Sequence, residues 1–97
     1  MNVELVLRTD RETHTLRLDT PKTVGRDKRC DLVVSGHFID KKHARLEASS
    51  VGVFVVDERS TSGTYVNDKL CHGAHPLAVG DHIAMGGARF TVVSITR

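Results

Sequence analysis

Apolar and polar residues alternate along much of this chain, and that period of two constrains the fold more than any other feature of the sequence. Alternating or nearly alternating runs occupy residues 3–9, 13–18, 43–48 and 88–96. Runs 31–35 and 52–57 are shorter and almost continuously apolar, which predicts strands closer to the centre of a sheet. No window of ten or more residues carries the apolar stripe of an amphipathic helix, so the sequence predicts an all-β fold.

Turn-forming residues separate the predicted strands. They lie at residues 9–12, 19–22, 48–52, 60–63, 67–68, 79–81 and 86–87. Because no helix is available to cover a sheet face, two sheets are expected to bury their apolar faces against each other. With 97 residues, of which 39% are hydrophobic, the chain has the size of one small domain. We therefore expect a single β-sandwich domain over residues 1–97, with no linker or internal repeat.

Apolar runs, cysteine content and net charge indicate where the protein is expected to reside and what it is not expected to bind. No stretch approaches the ~18 consecutive apolar residues of a membrane helix, and MNVELVLRTD places charges where a signal peptide would be apolar. The chain is therefore expected to be soluble and cytoplasmic, with no membrane contact. Cys30 and Cys71 are expected to be reduced thiols, and neither is assigned a function. A net charge of +2 is too mild to predict nucleic-acid binding by itself.

Three polar loops, at 25–31, 35–43 and 57–64, hold most of the clustered basic residues. In a sandwich the loops gather at the two ends, where binding residues are usually displayed. If these three loops share one end, they form a basic rim around a group of hydroxyl donors. The rim would consist of Arg26, Lys28, Arg29, Lys41, Lys42 and Arg59, and the hydroxyl donors would be Ser60, Thr61, Ser62 and Thr64. The sequence therefore indicates a cradle for an anion.

Four segments resemble, in order and spacing, the motifs of forkhead-associated (FHA) domains. They are TVGRDKRCDLVV (23–34), DKKHARL (40–46), DERSTSGTYVND (57–68) and LAVGDHIAMG (77–86). The resemblance extends from about Leu16 to Val93. It implies an FHA-type sandwich of two twisted, largely antiparallel sheets with about eleven short strands. It also implies a module that recognises phosphothreonine-containing proteins through loops at one end, with no cofactor.

The resemblance implies which residues contact a phosphopeptide. Arg26 looks like the phosphate-binding arginine of the family, and its planar guanidinium can donate two parallel charge-assisted hydrogen bonds to phosphate oxygens. Thr61 matches a hydroxyl residue that contacts phosphate in the family. Lys41 keeps a cationic head where the family often has arginine.

Other matching positions imply support of the loops, without ligand contact. His43 matches the histidine of a Ser-Arg-x-His motif and is expected to hold neighbouring loops by hydrogen bonds. Gly63 is expected to permit a turn conformation that other residues disfavour. Gly25 resembles the glycine before the phosphate-binding arginine, Thr64 the threonine of a Gly-Thr pair, and Asn67 an asparagine that braces loops.

Two positions depart from the family pattern, and both lie in the implied ligand surface. Asp40 stands where a serine usually donates to phosphate, and Ser62 stands where an asparagine usually fastens the peptide backbone. Two unit charges ~4 Å apart interact by roughly 4 kcal/mol at an effective dielectric of about 20, so Asp40 could cancel one good cationic contact. Alternatively, Asp40 forms an ion pair with a neighbouring cation. In either case we expect weak or absent phosphothreonine affinity, with an FHA-type interaction role retained.

Other functions receive less support from the sequence than phosphothreonine recognition does. No Walker loop, Gly-x-Ser-x-Gly elbow or paired carboxylates are present, so an enzyme is not expected. Cys71, His72 and His75 lack further ligands for a structural metal, so the segment CHGAH (71–75) is interpreted as an exposed turn. Few aromatic residues and no recognition helix argue against nucleic-acid binding. Phosphate-independent association with an unmodified protein stays open, as does the kind of parent protein.

Overall fold

The computed structural model describes residues 2–97, and their regular secondary structure consists of eleven strands. The strands are β1 (Glu4–Arg8), β2 (Thr13–Arg17), β3 (Lys22–Gly25), β4 (Leu32–Val33), β5 (Ala44–Ser49), β6 (Gly52–Asp57), β7 (Thr64–Val66), β8 (Lys69–Leu70), β9 (Ala74–Leu77), β10 (His82–Met85) and β11 (Ala88–Thr96). The all-β prediction is confirmed. Within the same described range, no helix is long and apolar enough to cross a membrane.

The strands form two sheets. One has the order β2-β1-β11-β10-β7-β8, and the other has the order β4-β3-β5-β6-β9. Every pair is antiparallel except β3 with β4, which is parallel. The prediction of two largely antiparallel sheets with about eleven short strands is therefore confirmed.

The core lies between the sheets, where alternate residues of most of the longer strands point inward. In β1, for example, Leu5 and Leu7 are buried while Glu4 and Arg8 are exposed. The largest fully buried apolar side chains are Leu5, Leu7, Leu18, Ile39, Leu46 and Ile83. Ile39 belongs to no strand, so its burial anchors the connection between β4 and β5 to the core.

The prediction that residues 31–35 form a central strand is wrong, whereas 52–57 lies inside its sheet as β6. Only Leu32–Val33 pair, as the edge strand β4. The apolar run gave a wrong prediction because its residues are not all buried. Val34 is 7% exposed, but Val33 is 47% exposed. A continuous apolar run therefore did not indicate burial on both faces here.

The interpretation of residues 71–75 as an exposed turn is wrong in part. Cys71 is buried, and the second half of the segment begins β9. Among residues 2–97, no group of three or more His, Cys, Asp or Glu is placed to hold a metal ion. Cys30 and Cys71 are both buried and are not joined in a disulfide.

Candidate functional site

Three loops meet at one end of the sandwich, and we call them the site loops. They are the β3–β4 loop (26–31), the β4–β5 loop (34–43) and the β6–β7 loop (58–63). The backbone N–H of Arg26 donates to the Asp40 carbonyl oxygen at 2.9 Å. The Ser62 hydroxyl donates to the Phe38 carbonyl oxygen at 2.8 Å, which joins the third loop to the second. The loops that carry the predicted cradle therefore share one end.

Gly25 ends β3 at the point where the β4–β5 loop passes closest to it. A Cβ atom here would lie 2.2 Å from the Lys41 carbonyl oxygen and 3.0 Å from that of Asp40. Both are backbone atoms that cannot rotate away, so only glycine permits this approach. The approach brings the Asp40–Lys41 peptide next to Arg26.

His43 is completely buried beneath the site loops, and both of its ring nitrogens are used. Nδ1 accepts a hydrogen bond from the Asp40 backbone N–H at 3.1 Å, so the ring proton is carried by Nε2. Nε2 donates to the Gly63 carbonyl oxygen at 2.9 Å. The imidazole thus connects the β4–β5 loop to the β6–β7 loop from inside the protein.

The β6–β7 loop is folded around the carboxylate of Asp57, a residue that sequence reasoning missed. Oδ1 accepts hydrogen bonds from the hydroxyls of Ser60 and Thr64, the second at 2.7 Å, and Oδ2 accepts from the Ser60 backbone N–H at 3.0 Å. The Ser60 hydroxyl in turn accepts from the backbone N–H of Gly63, whose φ is 86°. An aspartate followed three residues later by a serine is a turn signal that could have identified Asp57.

The ionised form of Asp57 is the form that holds this loop. Partial burial raises the pKa of the carboxyl, but hydrogen bonds from Ser60 and Thr64 lower it, and the balance leaves it below its ordinary value of 3.8. Since both hydroxyls point at Asp57, and Thr64 is fully buried, neither is displayed to a ligand. The prediction of four displayed hydroxyl donors is wrong for these two residues.

Arg26 presents its guanidinium on the surface of the site loops. Its Nε donates to the Ile39 carbonyl oxygen at 3.1 Å, and the Ile39 side chain is buried in the core. Within residues 2–97 the two terminal nitrogens of Arg26 have no hydrogen-bond or ion-pair partner. This orientation leaves the two-pronged end of the guanidinium available for an oxyanion. Lys41, on the adjacent loop, is a second exposed cation. Its side chain forms no hydrogen bond or ion pair in the described part of the chain, although its charge helps to lower the pKa of Asp27.

Asp40 forms no ion pair anywhere in the described range, so the alternative of a pair with Arg26, Lys41 or Arg59 is wrong. Its Oδ2 instead accepts a hydrogen bond from the Thr61 backbone N–H at 2.8 Å, and the Thr61 hydroxyl lies 3.4 Å from the same oxygen. A backbone N–H and a hydroxyl are the donors with which a protein binds phosphate. Asp40 therefore occupies donors of the candidate site.

The basic rim is smaller than the sequence suggested. Arg29 forms a two-pronged ion pair with Asp27, and its hydrogen bonds hold the pKa of Asp27 well below the ordinary value. Lys42 lines a separate hollow beside that pair, together with Thr23. Arg29 and Lys42 are therefore not part of the cationic surface formed by the Arg26 guanidinium.

Ser62 already uses its hydroxyl on the Phe38 carbonyl oxygen, so that group is not free to fasten a bound peptide. Beside it lies a hollow of about 350 Å³, whose lining includes Phe38, Tyr65 and Arg89. A larger concavity, about 880 Å³, lies elsewhere, next to the β1–β2 turn at residues 9–12. It contains none of the predicted site residues, so the smaller hollow beside Ser62 is the better candidate for ligand binding.

Asn67 lies away from the site loops, at the opposite end of β7 from Thr64. Its side-chain nitrogen donates to Asp81 at 3.0 Å, and its side-chain oxygen accepts from the His82 backbone N–H at 2.9 Å. Asn67 braces a turn against the β9–β10 connection, but that connection is not one of the site loops. The ligand-contact roles of Arg26, Lys41 and Thr61 stay predictions.

The sandwich and the site loops define a class of protein, the FHA-type binding module. The sequence matches the family model described as "FHA domain" over residues 22–86, and the chain belongs to that family. FHA domains are non-catalytic phosphopeptide-binding modules, so the prediction that this chain is not an enzyme is confirmed. No curated protein sequence matches the chain significantly.

Solved structures show the same fold. An FHA domain from work on phosphothreonine-dependent FHA interactions is similar with a TM-score of 0.84 at 23% identity, covering 94% of this chain and 96% of that one. The FhaA FHA domain, solved with the intracellular domain of another protein, has a TM-score of 0.82 at 24% identity, with 91% and 98% covered. EmbR of Mycobacterium tuberculosis, solved with a low-affinity phosphopeptide, has a TM-score of 0.83 at 23% identity, with 95% and 24% covered.

Proposed function

We propose that this chain is a signalling and protein-interaction module that recognises phosphothreonine-containing proteins with reduced affinity, in the cytoplasm. The observation that carries the proposal is the unpartnered, two-pronged end of the Arg26 guanidinium, which lies next to the Asp40–Lys41 peptide. A phosphate near charge −2 can accept two parallel hydrogen bonds from such a group. Lys41 adds a point charge on the same surface.

Reduced affinity follows from what stands at positions 40 and 62. A hydrogen bond to a charged group contributes about 1.5 to 3 kcal/mol, and the serine hydroxyl that the family usually has is missing at Asp40. Its carboxylate also repels a phosphate at short range. Ser62 has its hydroxyl committed to the Phe38 carbonyl oxygen. Together these losses correspond to orders of magnitude in the dissociation constant.

Fluorescence anisotropy with a degenerate phosphothreonine peptide library, and with the same library unphosphorylated, tests the proposal. We expect the parent to bind the phosphorylated library weakly but selectively. Asp40→Ser should tighten binding by at least about tenfold, and adding Ser62→Asn should tighten it further. Arg26→Ala should abolish the selectivity, whereas the exposed Arg17→Ala on β2 should not. Equal binding of both libraries by the Asp40→Ser, Ser62→Asn double variant would exclude phosphothreonine recognition.

A second candidate is phosphate-independent binding of an unmodified protein. Phe38, on the β4–β5 loop, is 70% exposed and lines the hollow next to Ser62. Such a residue could anchor an apolar side chain of a partner. The same titrations separate the candidates, because binding that is insensitive to phosphorylation and to Arg26→Ala, but lost in Phe38→Ser, identifies this mode.

A further inference from the structure

The two donors of Thr61 that face the candidate site are already satisfied by a carboxylate of the same chain. Asp40 Oδ2 lies 2.8 Å from the Thr61 backbone nitrogen and 3.4 Å from the Thr61 hydroxyl oxygen. These two residues are 21 positions apart and lie on different loops. An oxyanion bound by the same donors would need the position of that carboxylate oxygen.

The backbone of Asp40 is held from two sides. Its N–H donates to His43 Nδ1 at 3.1 Å, and its carbonyl oxygen accepts from the Arg26 backbone N–H at 2.9 Å. The buried side chain of Ile39 fixes the preceding residue as well. The carboxylate is consequently delivered to Thr61 by a fixed backbone, and only rotation of the Asp40 side chain can release it. Asp40 is half-buried, and because rotation of its side chain alone breaks the contact with Thr61, release requires no loop opening.

We propose that Asp40 is an internal competitor of the site: its carboxylate caps the Thr61 donors in the free protein, and an incoming phosphate must displace it. The inference rests on the proposed function, because it takes phosphate as the ligand of that site. It adds a capped, self-occupied resting state, which neither the missing serine hydroxyl nor charge repulsion would produce. The cap weakens every ligand that uses the Thr61 donors by the same factor, so only a partner with further contacts binds appreciably.

Competition by a tethered group lowers apparent affinity in proportion to the uncapped fraction. If the donors are free for about one part in ten to one part in a hundred of the time, the apparent dissociation constant rises ten- to hundredfold. Removing the carboxylate without supplying a new donor should therefore tighten anion binding. Asp40→Ala does this, since alanine can neither cap Thr61 nor donate to phosphate. Asp10→Ala, in the exposed β1–β2 turn, removes one acid at a distance and serves as the matched control.

The first experiment uses no ligand. The Thr61 amide of the ¹⁵N-labelled protein is followed for hydrogen exchange and chemical shift in the parent, Asp40→Ala and Asp10→Ala. We expect exchange to accelerate about tenfold or more in Asp40→Ala only, with an upfield shift of the amide proton, because a hydrogen bond to a charged acceptor is lost. Equal exchange at Thr61 in the parent and Asp40→Ala would overturn the cap. This result does not depend on what the site binds.

The second experiment titrates inorganic phosphate and O-phosphothreonine into the same three proteins at about 50 mM and about 500 mM salt. We expect Asp40→Ala to bind both anions about tenfold more tightly than the parent does, and the ratio to persist at the higher salt, where repulsion between exposed charges is screened. A ratio near one at either salt, including no binding by either protein, would overturn the competition. Failure of the proposed function is distinct: it would appear as equal binding of phosphorylated and unphosphorylated peptides by Asp40→Ala.

Discussion

At the scale of single residues, His43 determines whether the site loops keep their shape. Its ring is fully buried and connects the Asp40 N–H to the Gly63 carbonyl oxygen. His43→Ala leaves both groups without that partner and opens a cavity, so we expect the free energy of unfolding to fall by about 2 to 4 kcal/mol. Chemical denaturation measures this loss. His72→Ala is the control, because His72 is exposed and forms no side-chain hydrogen bond or ion pair in the described residues. Equal stabilities of the two variants would contradict the supporting role.

Gly25 is required because it has no side chain. A methyl group at this position would meet two backbone carbonyl oxygens, those of Lys41 and Asp40, which only a shift of the β4–β5 loop can relieve. We expect Gly25→Ala to destabilise the fold by about 2 to 3 kcal/mol through overpacking and to displace the Arg26 environment. Gly73→Ala is the comparison, because its Cβ would meet nothing within 4 Å and only its φ of 70° opposes the change, at about 1 kcal/mol. A smaller thermal shift for Gly25→Ala than for Gly73→Ala would refute the close-approach argument.

At the scale of elements, the β6–β7 loop owes its conformation to a carboxylate at its start. Asp57→Ala would leave the hydroxyls of Ser60 and Thr64 and one backbone N–H without an acceptor, and we expect a loss of about 2 to 4 kcal/mol. Such a loss lowers the melting temperature of a domain of this size by roughly 10 °C or more. Differential scanning calorimetry measures the shift, and Asp10→Ala should melt with the parent.

The same carboxylate makes the free energy of unfolding depend on pH in the acidic range. The pKa of Asp57 is lowered in the folded state, so its contribution is complete above the ordinary value of 3.8 and is lost as pH falls through the folded value. We expect the free energy of unfolding to fall as the pH is lowered below about 4. In Asp57→Asn the amide oxygen still accepts hydrogen bonds but cannot be ionised, so this fall should be smaller. Urea titrations across that range measure it, and parallel curves for parent and variant would exclude Asp57 as a source of the acid sensitivity.

Elements differ in how far the sequence determined them. Alternation identified the longer strands, including β1 and β11, because several residues in succession must face the core. β8 contains only two residues, too few to produce a pattern. The two residues of β4 pair in parallel with β3 across a loop of only six residues, an arrangement that alternation does not predict. The same difference between local patterns and long-range contacts applies to the candidate site. Its residues were predicted from local motifs, but the contact between Asp40 and Thr61 joins positions 21 apart, and no local pattern encodes it.

At the scale of the whole molecule, positive and negative charges nearly balance at the site-loop end. They therefore produce no strong long-range electrostatic potential. Residues 25–31, 35–43 and 57–64 together contain six Lys or Arg but also five Asp or Glu, and the complete chain has a net charge of only +2. Electrostatic steering requires a large surplus of one sign over a surface, so this end of the sandwich should attract an anionic peptide only at short range. The association rate should therefore depend little on salt.

Stopped-flow fluorescence with a phosphothreonine peptide and the Asp40→Ser variant measures this. Between about 50 mM and 500 mM salt we expect the association rate constant to change by less than about threefold, whereas strongly steered pairs change far more. Salt should act mainly on dissociation, because the contacts of phosphate with Arg26 and Lys41 are short and exposed, and screening weakens them once formed. Arg17→Ala in the same background removes a cation remote from the site loops and should leave both rate constants unchanged. A steep fall of the association rate with salt would instead mean that the six site-loop cations act together at long range, with their neighbouring acids failing to offset them.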